Sequence, residues 1–175
     1  MKKLIYNFFI LLLFAQPIFA AEIPANISKN LNPAFLIGDS DLRVLALKVY
    51  HIALWSEEKN FSYDKKFAIQ IIYNMNFSKS DLAKRSVEEI EKLHTLTDQE
   101  KKSYFEQLEK LFASVKKGDE KVALFVPNQG VEMFYNGKLN GKISDLKLAR
   151  LFVDIWLDER GSYPKVTKKL LGKTK

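Results

Sequence analysis

The sequence predicts an α+β domain, an antiparallel sheet with helices layered on one face. Two observations carry this. The hydrophobic period changes in blocks, from two to about 3.6, back to two, and to about 3.6 again. Strands next to each other in sequence are joined by short turns or loops, which suits antiparallel neighbours. The resulting order is two strands, two helices, three strands, two helices. No repeat and no linker divides the chain.

The first strand is expected at Leu42–Trp55, where both alternating sets are mostly apolar, so both faces are covered. The second, Lys66–Met75, places Phe67, Ile69, Ile71, Tyr73 and Met75 on one side. The loop 56–64 joins them as an antiparallel pair. Ser78-Lys79-Ser80-Asp81 and Thr97-Asp98-Gln99-Glu100 have capping-box spacing and start two helices. The second carries the stripe Tyr104, Leu108, Leu111, Phe112 and Val115 and is expected to stop at Lys116-Lys117-Gly118. Val122–Val126, Val131–Tyr135 and Lys138–Ile143 alternate as strands, with Asn136-Gly137 as a hairpin turn. Ser144 or Asp145 caps a long helix with the stripe Leu148, Leu151, Phe152, Ile155 and Trp156. Gly161 suits its stop, and Pro164 starts a short closing helix.

The chain has 175 residues, 47% of them hydrophobic, including 13 Phe, 7 Tyr and 2 Trp. That is enough for one domain with a bulky core, or a core containing a cavity. A positive start (Lys2, Lys3), an apolar run to Phe14 and small Ala20 and Ala21 form a secretory signal pattern. Residues 1–20 are expected to be removed, with cleavage after Ala20 or Ala21; 21–36 is a polar lead-in and 37–175 the domain. Without Lys2 and Lys3, 26 of the 28 basic side chains remain against 21 acidic ones, a net charge of +5. Export to a bacterial periplasm is the simplest expectation, and with it nucleic acid is not an expected partner.

No usual catalytic constellation is present. There is no Cys to act as nucleophile, soft metal ligand or disulfide partner. The two His, His51 and His94, lie far apart, and the seven Gly make no phosphate loop. No cofactor or metal is expected. Lys48, Tyr50 and His51 instead interrupt the apolar first strand, and Gln70 and Tyr73 the second. Polar groups there need partners or a solvated cavity, so together they point to an amphipathic pocket between sheet and helices. By alternation Lys48 and Tyr50 share one face, and Arg43 and His51 the other. Arg160, Lys165, Lys168, Lys169, Lys173 and Lys175 close the chain without an acid. They form the solvated face of the last helix, open to weak contact with an anionic membrane surface.

Several stretches, in order, resemble the bacterial chalcone isomerase-like proteins. Ile37-Gly38 followed by Leu42 to Trp55 resembles their early "G…R-V-L…K-V-Y…A-L-Y/W" strand. Lys117-Gly118-Asp119 resembles their "K-G-D", and Phe134-Tyr135-Asn136-Gly137 with Gly141-Lys142-Ile143 their "F-Y-N-G…G-x-I" hairpin. Ile155-Trp156-Leu157-Asp158, Pro164 and Leu170-Leu171-Gly172 resemble the "I-W-L-D…P…L-L-G" ending.

The resemblance implies a chalcone isomerase-like fold with a ligand cleft between sheet and helices. The fold includes plant flavonoid cyclases and proteins that bind fatty acids without catalysis. The chain departs from the cyclases. Tyr50 and Ile155 stand where they carry Thr, and their early Arg falls at Arg43 or, by count, nearer Asp41. The expected function is therefore non-catalytic binding of a fatty acid or other apolar small molecule. Arg43 or Lys48 would face its anionic end, with Tyr50, Tyr73 and Trp156 as walls or hydrogen-bonding tips. An isomerase or intramolecular lyase, or a structural module of the envelope, are the alternatives.

Overall fold

The computed structural model describes residues 23–173, so the expected signal segment, 1–20, lies outside the described residues. Six strands form one antiparallel meander in the order β1 to β6: β1 (Phe35–Val44), β2 (Leu47–Ser56), β3 (Phe67–Tyr73), β4 (Glu120–Val126), β5 (Gly130–Tyr135) and β6 (Lys138–Ile143). The helices are α1 (Ala25–Asn30), α2 (Lys79–Leu93), α3 (Asp98–Leu111), α4 (Leu146–Leu157) and α5 (Pro164–Leu170). The expected α+β class and antiparallel sheet stand. Helices α2 to α5 share one face of the sheet with Ile52, Leu54, Ile69 and Phe125. Helix α1 is an addition. It lies in the expected lead-in and buries Ile27 and Leu31 on the reverse face, against Ala53, Trp55, Ala68 and Leu124.

The expected first strand is a hairpin. Leu45 and Ala46 both have positive φ, 48° and 68°, and fold the chain back between β1 and β2. Such a turn normally takes Asn or Gly, so Leu-Ala gave no signal in the sequence. The hairpin also has a bulge. Leu42 pairs with Tyr50 and Arg43 with Lys48, leaving Val49 as an extra residue on β2.

Helix α3 stops at Leu111, earlier than its apolar stripe implied. Phe112 is already extended, and Val115 forms a two-way backbone bridge with Phe77 at 2.9 and 3.0 Å. The stripe continues past the helix because the extended segment stays on the same core. Gly118, at φ 93°, serves the turn into β4 instead of a helix stop. Asp119 fixes that turn, accepting from Lys116 N (2.7 Å), Tyr135 Oη (2.8 Å) and Asn136 Nδ2 (3.0 Å).

Helix α4 starts as expected at Asp145, whose carboxylate accepts from Leu148 N at 3.0 Å. It is buried around most of its circumference, including Leu148, Phe152, Val153 and Asp154. Helix α5 then crosses β1 at Gly38, where a Cβ would lie 2.0 Å from the Lys169 carbonyl oxygen and 2.8 Å from that of Leu170. The glycine is required by this backbone-to-backbone approach. Gly38→Ala should lower unfolding stability by about 1–3 kcal/mol, as overpacking does, measured by denaturant melts.

Glu100 closes a capping box with Thr97 and also accepts from Lys147 Nζ at 2.6 Å, tying α3 to α4. The Lys147 hydrogen bond, with those from Thr97, holds its carboxyl at about 2, below the ordinary value. A depressed folded-state value adds stability that is complete above the unfolded value near 4.5 and is lost as pH falls toward 2. Lys147→Met should therefore flatten the fall in melting temperature over that window.

Candidate functional site

A cavity of about 610 Å³ lies between the sheet and the helices. Its sheet wall comes from β1 to β5, including Ile69, Ile71 and Met133; its roof is Leu82 of α2, Phe112, and Phe152 of α4. Its lip is apolar and exposed: Val44 (43%), Leu45 (94%), Leu47 (63%) and Met75 (38%).

The bulge decides which side chains of the hairpin meet this space. With Val49 inserted, Leu47, Val49 and Tyr50 all line the cavity, and strict alternation fails. Tyr50, Tyr73 and Trp156 come together on its wall. Tyr50 pairs with Tyr73 across the strands, the rings edge-on at 6.0 Å, and its hydroxyl accepts from Trp156 Nε1 at 3.0 Å. Burial raises the ionisation of both phenols well above the ordinary tyrosine value, so they stay protonated.

Arg43 and Lys48 are not brought to the cavity. Past the bulge they pair with each other and turn to Asp41, at 3.4 and 2.7 Å. His51 joins the same carboxylate at 3.0 Å. These contacts, the Lys48 hydrogen bond foremost, hold the Asp41 carboxyl below its ordinary value. Gln70 faces the reverse side too, where its amide oxygen accepts from Trp55 Nε1 (3.0 Å) and its nitrogen donates to Glu120 (2.7 Å).

The cavity's own cations are Arg85 and Lys121. Sequence reasoning passed over both, because Arg85 reads as one more surface charge on α2, and Lys121 precedes the apolar run of β4. Arg85 is matched by Glu89 at 2.5 Å and accepted by Tyr163 Oη at 3.3 Å. Glu89 is itself buried; burial opposes its charge, but bonds from Ser162 and Lys92 prevail and its carboxyl sits below the ordinary value. His94 caps the end of α2, 3.9 Å from Asp154. Among the described residues, no cluster of His, Cys, Asp and Glu could hold a metal.

The family model for chalcone isomerase-like proteins matches residues 40–172. The chain belongs to the chalcone isomerase-like family. Among solved structures, a fatty-acid binding protein of Arabidopsis thaliana matches with a TM-score of 0.59 at 11% identity. The match covers 79% of this chain and 87% of that one. Identity so low makes this a likeness of fold. No curated protein sequence matches the chain significantly. Gly38 is the crossing point of α5, and Gly118-Asp119 builds the turn before β4.

Tyr50→Phe should remove the acceptor of the Trp156 indole and cost about 1 kcal/mol of stability, read from denaturant melts followed by indole fluorescence.

Proposed function

We propose that this chalcone isomerase-like protein binds a fatty acid or other apolar small molecule without transforming it. The observation that carries the reading is the cavity itself, lined mostly by hydrocarbon and aromatic groups and opening through an apolar lip. Its volume lies within the range of about 300–1,000 Å³ typical of small-molecule sites. The fold likeness to a fatty-acid binding protein supports the same class of ligand.

The cavity chemistry supports binding over catalysis. A cyclase needs donors and proton acceptors poised where charge develops. Here the phenols hold their protons, Arg85 is spent on Glu89, and Ile155 presents hydrocarbon. A purely structural envelope module would have no use for such an opening beneath Tyr50 and Tyr73. The secretory pattern at the N-terminus supports export to the periplasm. In the basic C-terminal segment Arg160 pairs with Asp158, and Lys168 and Lys173 with Glu159. Exposed Lys165 and Lys169 are left for a weak contact with an anionic surface.

Trp156 supplies the test. In a Trp55→Phe background it is the remaining indole of the chain, on the cavity wall. Titration with dodecanoate should change its emission saturably, and Leu82→Trp, which fills the cavity, should abolish competition by a fluorescent fatty acid. Protein purified from the periplasm should carry small molecules in native mass spectra. Chalcone should cyclise at the uncatalysed rate in its presence. No saturable binding and no co-purified ligand would overturn the reading.

A further inference from the structure

Lys121 lies on the cavity face of β4, between Ile71 of β3 and Tyr135 of β5. It is only 6% exposed, and its Nζ has no hydrogen-bond partner. The ammonium rests 4.4 Å from the centroid of the Phe112 ring. A cation–π contact offsets part of the loss of water but leaves all three donors unused.

The acids nearest in sequence make no hydrogen bond or ion pair with Lys121, and the Asp119 charge offsets its burial only in part. Asp119 is committed to Lys116 N, Tyr135 and Asn136, and Glu120 accepts from Gln70 on the reverse side. Burial lowers the Lys121 amine to about 8, so it remains mostly protonated at neutral pH. A second unused donor stands close along the same wall. Tyr73 is one step beyond Ile71 on the same face of β3, and its hydroxyl makes no hydrogen bond to a described residue. By contrast, Arg85 at the α2 side is already neutralised by Glu89.

We propose that Lys121, assisted by the Tyr73 hydroxyl, is the anion-binding point of the cavity and that the ligand is an anionic amphiphile with a carboxylate head. The inference rests on the apolar-binding reading above and adds an orientation to it. The carboxylate lies deep, against β4 and Phe112, and the hydrocarbon chain runs toward Val44, Leu45 and Leu47 at the lip. A neutral hydroxyl can accept one hydrogen bond from a buried ammonium, but a carboxylate also neutralises its charge and offers two acceptor oxygens, so the acid is preferred to a neutral analogue of equal length.

The test compares dodecanoate with dodecanol on the full-length protein, by displacement of a fluorescent probe. Wild type should bind the acid about tenfold or more tightly than the alcohol, the scale of one charge-assisted hydrogen bond. Lys121→Met keeps the length of the side chain and removes the charge. It should lose this preference, its affinity for the acid falling to that for the alcohol, with a melting temperature equal or higher because an unpaired buried charge is gone. Tyr73→Phe should narrow the preference in part. Equal binding of acid and alcohol by wild type, or a preference that survives in Lys121→Met, would overturn the proposal while leaving apolar binding intact. Failure of wild type to bind either ligand would overturn the apolar-binding reading and this inference with it. A wild-type carboxyl-13C resonance of bound dodecanoate that titrates like the free acid would also count against Lys121, without relying on any variant.

Discussion

Burial of α4 on almost every side is the constraint from which the helical layer follows. A helix so apolar needs cover from the sheet below and from α2 and α5 beside it. Its one buried acid, Asp154, must be satisfied in place. Tyr63 donates to it at 2.6 Å and Arg150 at 3.0 Å, and the Arg150 guanidinium lies 3.4 Å from the centre of the Tyr63 ring. The long loop between β2 and β3 is thereby pinned to the helix, with Phe61 and Tyr63 edge-on to Phe67. The same helix carries Phe152, Ile155 and Trp156 to the cavity. Core and cavity share one element, and a rigid helix gives the cavity a fixed wall.

The polar groups around that wall divide into two kinds. One is Lys121, whose ammonium has no hydrogen-bond partner; the other is the internal pairs, Arg85 with Glu89 and Trp156 with Tyr50. These pairs direct their bonds at one another and set positions. Such an interior is suited to holding a molecule by contact area and one or two directed bonds.

Much of this was legible in the chain. Period changes located β3 to β6, the capping residues Ser78, Thr97 and Asp145 marked three helix starts, and Pro164 marked a fourth. The ordered motifs pointed to the family. Three features were not legible, each for a physical reason. The turn at Leu45-Ala46 uses left-handed conformations without the residues that favour them. The stripe on α3 runs on into extended chain because Phe112 and Val115 face the same core in another conformation. The bulge at Val49 changes the facing of Lys48 through hydrogen-bond register, which composition does not encode. Of the five expected site residues, the three aromatics depended on the broad placement of β2, β3 and α4. Arg43 and Lys48 depended on that single residue of register, and so went astray.

The contact between Gly38 and α5 sets an order of events. All five strand pairings join consecutive strands, and three of them, β1–β2, β4–β5 and β5–β6, are closed by short turns, the kind of contact that forms early. The crossing of α5 over β1 links opposite ends of the described chain, with backbone meeting backbone. Loop-closure entropy defers such a contact until the segments between are already in place. During synthesis the first strand emerges long before Lys169 and Leu170, and waits for them before that side is covered. Covering of β1 is thus tied to the synthesis of α5, and a chain cut short before α5 leaves β1 without its final cover.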